Sequence, residues 1–192
     1  MMQNALLGYQ DLIETIMATL DARDSYTASH SERVSDTTEW ICEMLHLPKN
    51  TSEMIHIAAH VHDIGKIGVP DHVLLKSSTL TDLEWHLMKK HSETGYQILS
   101  KVAGLDKIAL IVRHHHERWD GKGYPLGLAG KDIPIGSRII ALADSIDAML
   151  SDRNYREAMS LTQCKSEIER NSGVMFDPVI TRILLDNWPG FV

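Results

Sequence analysis

The sequence predicts an all-α, single-domain fold, and three observations carry that expectation. Apolar residues recur at helical spacing along most of the chain, with almost no alternation of the kind a half-buried strand shows. Helix-start signatures stand at Thr81-Asp82-Leu83-Glu84, at Ser160 with Gln163, and at Asp177-Pro178. The chain has 192 residues, 43% of them hydrophobic and 23% charged, which suffices for one substantial core. No internal repeat, low-complexity stretch or linker divides it, so residues 1–192 read as one helical bundle.

The elements follow in order. Leu6, Leu7, Leu12, Ile13, Ile16, Met17 and Leu20 share one face of a first helix over roughly residues 5–21, ended by Ala22-Arg23-Asp24-Ser25. This helix packs on or precedes the rest of the bundle and offers a surface for a homodimer. A second helix covers about Thr27 to Leu45, with Val34, Ile41, Met44 and Leu45 on its apolar side and His30 one turn before Val34. Leu47-Pro48 ends it. Asn50 with Glu53 reads as the cap of a third helix bearing His56, His60 and the His62-Asp63 pair. His62 lies about 200° around a helix from His60, so His56 and His60 read as structural or surface residues.

A loop containing Pro70 follows Gly65. The Thr81 capping box then opens a long helix with Leu83, Leu87, His91, Thr94 and Ile98 in one stripe. Past Gly104, a helix of about Asp106 to His116 turns Ile108, Ile111, Val112 and His115 inward. Residues 117–136 hold five glycines and two prolines, and an irregular segment of that length in a compact domain is usually functional. A helix from Ser137 carries Asp144 within an apolar run and Asp147 one turn later. Ser160 starts the next helix, closed by Gly173, and Asp177-Pro178 starts the last, ending near Trp188.

Composition limits the function. No stretch approaches the roughly 20 continuous apolar residues of a membrane span, and the N-terminus lacks signal-peptide character. Cys42 and Cys164 form no CxxC motif, so a reducing cytoplasm is expected. The net charge of −7 argues against binding long nucleic acid, while leaving room for a small anionic ligand at a site with concentrated cations.

The informative excess is in histidine, with 11 residues. His30, His62, Asp63, His91, His115, His116 and Asp144 all fall toward the inner sides of predicted helices. Imidazoles and carboxylates without thiolates suit iron, manganese or zinc, with nickel or cobalt also compatible. A buried carboxylate such as Asp144 requires a metal or a cationic partner. Seven ligands exceed what one ion with an open position needs, whereas two ions sharing a carboxylate would use them fully.

His62-Asp63 with Lys66, then His91, His115-His116-Glu117, Gly123-Tyr124-Pro125 and Asp144, resembles the HD-GYP family of HD phosphohydrolases. The resemblance runs from Arg23-Asp24-Ser25-Tyr26-Thr27 to Phe176-Asp177-Pro178. It implies a bacterial phosphodiesterase that opens cyclic di-GMP to pGpG and onward to GMP, with a cyclic GMP-AMP hybrid as the alternative substrate. A domain that senses a cyclic dinucleotide or docks a partner with little turnover is the other alternative. By resemblance, His30, His62, Asp63 and Asp144 hold one divalent metal, iron or manganese first. Asp63, His91, His115 and His116 hold a second, with Asp63 bridging and His114 a bystander. Tyr26 stands where some relatives place a glutamate for a third metal, so two metals are expected. Lys66, Tyr124, Asp147, Arg153 and Arg156 match substrate-pocket positions, with Asp63, Lys66 and Asp147 in the catalytic set. Asp147 orients Lys66 or the attacking water. Arg156 replaces a lysine of many relatives, which keeps the charge and changes its geometry. The GYP loop forms a pocket wall or a surface for diguanylate cyclases.

Overall fold

The structure, a computed structural model, describes Thr15, residues 27–152 and residues 157–188. The expected N-terminal helix (apart from Thr15), Tyr26, Arg153 and Arg156 lie outside the described residues. Among the described residues the elements are helical: α1 (Thr27–Met44), α2 (Lys49–His60), a 3-10 turn (Ile64–Gly68), α3 (Asp71–Leu74), α4 (Asp82–Leu99), α5 (Asp106–Arg113), a 3-10 turn (Gly130–Asp132), α6 (Ile135–Leu150), α7 (Leu161–Arg170) and α8 (Pro178–Asp186). A single β-bridge, Ser172 to Phe176, is the extended pairing among them. No helix of the described residues is long and apolar enough to cross a membrane.

α6 is the central element. It buries Ile139, Ile140, Leu142, Ala143, Ile146 and Met149, which leaves little of its surface for solvent. It packs against α1, α2, α5 and α7, and α1 packs in turn on α2 and α8. The core so formed includes Val34, Ile41, Ile55, Ala58, Ile108, Val112, Ile168 and Leu184.

Three of the expected helix starts are present in side-chain detail. Thr81 and Glu84 form a reciprocal capping box on α4, as do Ser160 and Gln163 on α7. Asp177 caps α8 by accepting from the N–H groups of Val179 and Ile180. The Asn50 cap is corrected: α2 begins at Lys49 behind Pro48, without a side-chain cap. Pro48 lacks an N–H and already has an extended ψ, so the chain enters the helix there. Leu83 is also corrected, being 73% exposed in the first turn of α4. The buried stripe of α4 runs instead through His91, Ser92, Gly95 and Leu99. The segment after Gly65 is partly helical rather than a plain loop, and α6 starts at Ile135, ahead of Ser137.

The correction that matters most concerns two helix ends. α2 stops at His60 and α5 at Arg113, so His62, Asp63, His115 and His116 lie in the turns that follow. Side chains adjacent in an α-helix point about 100° apart and cannot both meet one site. Tightened turns, with Ile64 N–H bonded to Val61 O and Glu117 N–H to His114 O, let each adjacent pair converge.

Candidate metal centre

Five helices and turns deliver side chains to one buried place. α1 brings His30, the turn after α2 brings His62 and Asp63, α4 brings His91, the turn after α5 brings His115 and His116, and α6 brings Asp144. Glycine permits the closest of these approaches. A Cβ on Gly65 would stand 1.8 Å from His91 O and 2.5 Å from Gly95 N, so the turn carrying Asp63 lies directly on the α4 backbone.

The imidazoles are oriented from behind. Nδ1 of His62, His91 and His115 lies 2.7, 2.8 and 2.6 Å from the carbonyl oxygens of Ala59, Met88 and Val112. A carbonyl only accepts, so each Nδ1 carries a proton and each Nε2 is aimed into the site. Nδ1 of His30 is held by the Asp147 carboxylate at 2.6 Å. Asp147 also accepts from Arg33 Nε at 2.5 Å and Nη2 at 3.1 Å.

The inward atoms fall into two groups, each with ligand atoms within 4.8 Å of one another: His30, His62 and Asp144, and His91, His115 and His116. In the second group His91 Nε2 is 3.1 Å from His116 Nε2 and 3.4 Å from His115 Nε2. Asp63 stands between the groups. Its Oδ1 is 3.6 Å from His91 Nε2, and its Oδ2 is 3.4 Å from His62 Nε2 and 4.0 Å from His30 Nε2. Asp144 Oδ1 is 3.4 Å from His30 Nε2.

The electrostatics divide the groups. Burial drives the pKa of His91 down and those of His115 and His116 well down, with neighbouring imidazoles adding to the effect on the latter two. These rings are neutral at pH 7, the form that donates a lone pair. Burial also disfavours charge on His62, but Asp63 and Asp144 outweigh it and raise its pKa to about 9. Burial pushes the Asp63 carboxyl up, yet Lys66 and His62 together hold it well below the usual range.

The residues fit a divalent cation. The buried Nε2 of His62 makes no hydrogen bond, although the carboxylates beside it draw positive charge to that atom. A proton there serves one nitrogen, whereas a cation serves Nε2 and the surrounding oxygens together. In the second group the ligand atoms of His91, His115 and His116 all lie within 4.8 Å of one another, close enough to share one cation.

Other expected site residues occupy varied places. Lys66 Nζ is 2.6 Å from Asp63 Oδ2. Tyr124 stacks on His116 with ring centroids 4.7 Å apart, and burial together with Asp63 and Asp144 raises its pKa, so its hydroxyl stays protonated. The Asp147 carboxylate is engaged by His30 and Arg33, while Lys66 is paired with Asp63. Arg153 and Arg156 lie outside the described residues. His114 is buried beside Glu117, apart from both groups. His56 and His60 contact each other on α2, away from the centre.

Arg33, which sequence reasoning missed, and Glu117, read there only as part of a motif, both contribute. Arg33 lies one helical turn from His30, just as Asp147 lies one turn from Asp144, and the two complete the layer behind the ligands. Glu117 accepts from Leu126 N–H at 2.7 Å and Leu128 N–H at 3.1 Å, folding the loop over the histidine turn. Gly123 makes this possible, because a Cβ there would lie 2.4 Å from Arg118 N.

Comparison with known proteins identifies the family. The HD domain family profile matches residues 14–180. The chain is 40% identical over 183 residues to a cyclic di-GMP phosphodiesterase of Thermotoga maritima, covering 92% of this chain and 50% of that protein. It is 36% identical over 185 residues to the 3′3′-cGAMP-specific phosphodiesterase 2 of Vibrio cholerae, covering 95% and 35%. The chain therefore spans about a third to a half of the length of these relatives. Among solved structures, the HDG"Y"P protein Bd1817 of Bdellovibrio bacteriovorus superposes with a TM-score of 0.69 at 18% identity, over 93% of this chain and 60% of that one. A cyclic GMP-AMP phosphodiesterase of V. cholerae, V-cGAP3, gives 0.68 at 19%, over 93% and 49%, and both likenesses are of fold. With the profile spanning most of its length, the chain belongs to the HD domain family.

Proposed function

We propose that the chain is a metal-dependent phosphodiesterase that opens a cyclic dinucleotide, with cyclic di-GMP as the first substrate and 3′3′-cGAMP as the second. The observation that carries this reading is Asp63, whose two oxygens face two separate groups of inward-aimed imidazole nitrogens. His30, His62 and Asp144 would hold one divalent ion, His91, His115 and His116 a second, and Asp63 would serve both. Iron or manganese suits this mixed nitrogen and oxygen set first, and zinc, nickel or cobalt next. Such ions, when bound, supply an acidified water at neutral pH and neutralise charge that develops on phosphoryl oxygens.

The protein's own groups do the rest. Lys66 keeps the Asp63 carboxylate ionised and would present its ammonium to the reacting phosphate. Tyr124 offers a protonated hydroxyl at the mouth, and Arg153 and Arg156 supply phosphate-binding charge. Asp147 and Arg33 act through His30 as positioning residues, fixing its tautomer and ring plane. The loop of residues 117–136 forms a pocket wall or a docking surface for diguanylate cyclases. A homodimer is part of the same reading.

Both substrates are kept because relatives named for each are similarly close. The test is turnover of each dinucleotide by metal-loaded protein, with linear and mononucleotide products separated by chromatography. Binding of both dinucleotides without product would favour the sensing module and overturn the enzymatic reading.

A further inference from the structure

The site's outer rim carries an arrangement that the metal centre does not use. On α4, Trp85 and Lys89 lie one turn apart, and both are exposed, the indole to 48%. Lys89 Nζ stands 5.9 Å from the Trp85 ring centroid and 5.4 Å from that of Tyr124. Tyr124 in turn stacks on His116. A ladder of ring, ammonium, ring and imidazole therefore runs from solvent to the candidate metal ligands.

An exposed indole on a rigid helix is a costly surface for water and a good one for a flat π-system. Stacking a nucleobase on an aromatic side chain contributes about 1–3 kcal/mol per base and accepts any base. A lysine beside such a platform discriminates more finely. Its ammonium only donates, which matches the O6 and N7 acceptors of guanine and opposes the N6 amino group of adenine. The phosphates are already served by Lys66 and the cation-binding groups, so the base edge is the chemistry left for Lys89.

We propose that Trp85 and Lys89 form a guanine subsite at the mouth of the centre, Trp85 stacking on the base and Lys89 reading its O6/N7 edge. This deepens, and rests on, the cyclic dinucleotide reading. Lys89 Nζ lies over both rings, 5.9 Å from the Trp85 centroid and 5.4 Å from that of Tyr124, so a guanine stacked on the indole would have the ammonium within reach of its acceptor edge. Tyr124, which lies under the Lys89 ammonium and stacks on His116, links this helix face to the candidate metal ligands. It also supplies a reason for a large exposed aromatic on a helix whose neighbour Leu83 is exposed without any charged or aromatic partner in the ladder.

The test is equilibrium binding of cyclic di-GMP and cyclic di-AMP to metal-loaded protein, comparing wild type with Trp85→Ala, Lys89→Ala, Lys89→Arg and the control Leu83→Ala. Metal content and thermal unfolding confirm that each variant is intact. Trp85→Ala should weaken both ligands roughly tenfold, in line with base stacking. Lys89→Ala should weaken cyclic di-GMP by more than cyclic di-AMP, and Lys89→Arg should restore the preference. Leu83→Ala should bind as wild type does. Tight wild-type binding that Trp85→Ala leaves unchanged overturns the subsite while sparing the proposed function. Equal losses for both ligands in Lys89→Ala overturn the edge reading and assign its ammonium to phosphate. If wild type binds and hydrolyses neither dinucleotide, the proposed function fails, and the subsite fails with it.

Discussion

Replacing Gly65 by alanine tests how the Asp63 carboxylate is positioned. The added Cβ would lie 1.8 Å from His91 O, 2.5 Å from Gly95 N and 2.7 Å from His91 C, all backbone atoms of α4. Ordinary contact begins at 3.4 Å, so the turn must retreat by roughly 1.5 Å, and no side-chain rotation can relieve it. Overpacking of this kind costs about 3 kcal/mol, the upper part of the usual range, because backbone resists on both sides. For a domain of this size that is a loss of roughly 6–12 °C in Tm. The functional effect is larger, since Asp63 sits two residues before the displaced atom and metal ligands work within about 0.2 Å of their place. Metal content should fall from two ions per chain while α-helical circular dichroism is retained. Gly68→Ala is the internal control: its Cβ meets only the Thr94 side chain, at 3.2 Å, and both properties should stay near wild type. A Gly65→Ala protein with wild-type Tm and metal content would refute the claim that close backbone contact places Asp63.

Three further outcomes are expected. Asp147→Asn keeps the shape but weakens the hold on His30 Nδ1 and Arg33, so metal affinity should drop about 10–100-fold, measured by competition with a chelating dye. Lys66→Ala should retain its metals, because the ammonium competes for Asp63 Oδ2, while turnover falls about a hundredfold; loss of metal would make Lys66 structural instead. The pH dependence of metal-free protein should change sign near pH 6.5. Below that value the unfolded chain binds more protons, since His91, His115 and His116 have lowered pKa values when folded, so stability rises with pH. Above it, His62 keeps its proton only in the fold, and its contribution is lost as pH rises through about 9, at roughly 1 kcal/mol per pH unit. Chemical denaturation across pH 5–10 measures both limbs; His62→Gln should remove the fall between pH 6.5 and about 8.5, above which the buried thiols of Cys42 and Cys164, pushed up to about 11, keep a downward slope.

Much of this architecture was legible in the residues. The capping pairs Thr81–Glu84 and Ser160–Gln163 and the Asp177-Pro178 start announce their helices because each satisfies backbone N–H groups locally. The inward histidines were visible from their place in apolar runs. The ends of α2 and α5 were not, because neither Val61 nor His114 is a glycine or proline and the periodicity continues through both. Termination there comes from tertiary demand, the convergence of His62 with Asp63 and of His115 with His116, which no local signal encodes. Leu83 misled for a related reason: it keeps the helical period but belongs to the capping turn, beyond the reach of the core. Arg33 and Asp147 form a layer of ion pairing across 114 residues of sequence, and such pairs carry no spacing signature. Their one clue is that each follows a candidate ligand by a single helical turn.

The central claim is that one carboxylate, Asp63, organises two cations for hydrolysis of a cyclic dinucleotide. It is tested most directly by purifying the protein without oxygen, supplying iron or manganese, and measuring metal per chain and cyclic di-GMP turnover beside His62→Ala/Asp63→Ala. The account predicts two ions and formation of pGpG or GMP in the wild type, with both lost in the double variant and its helical content unchanged. Equal metal content and equal turnover in the two proteins would contradict it.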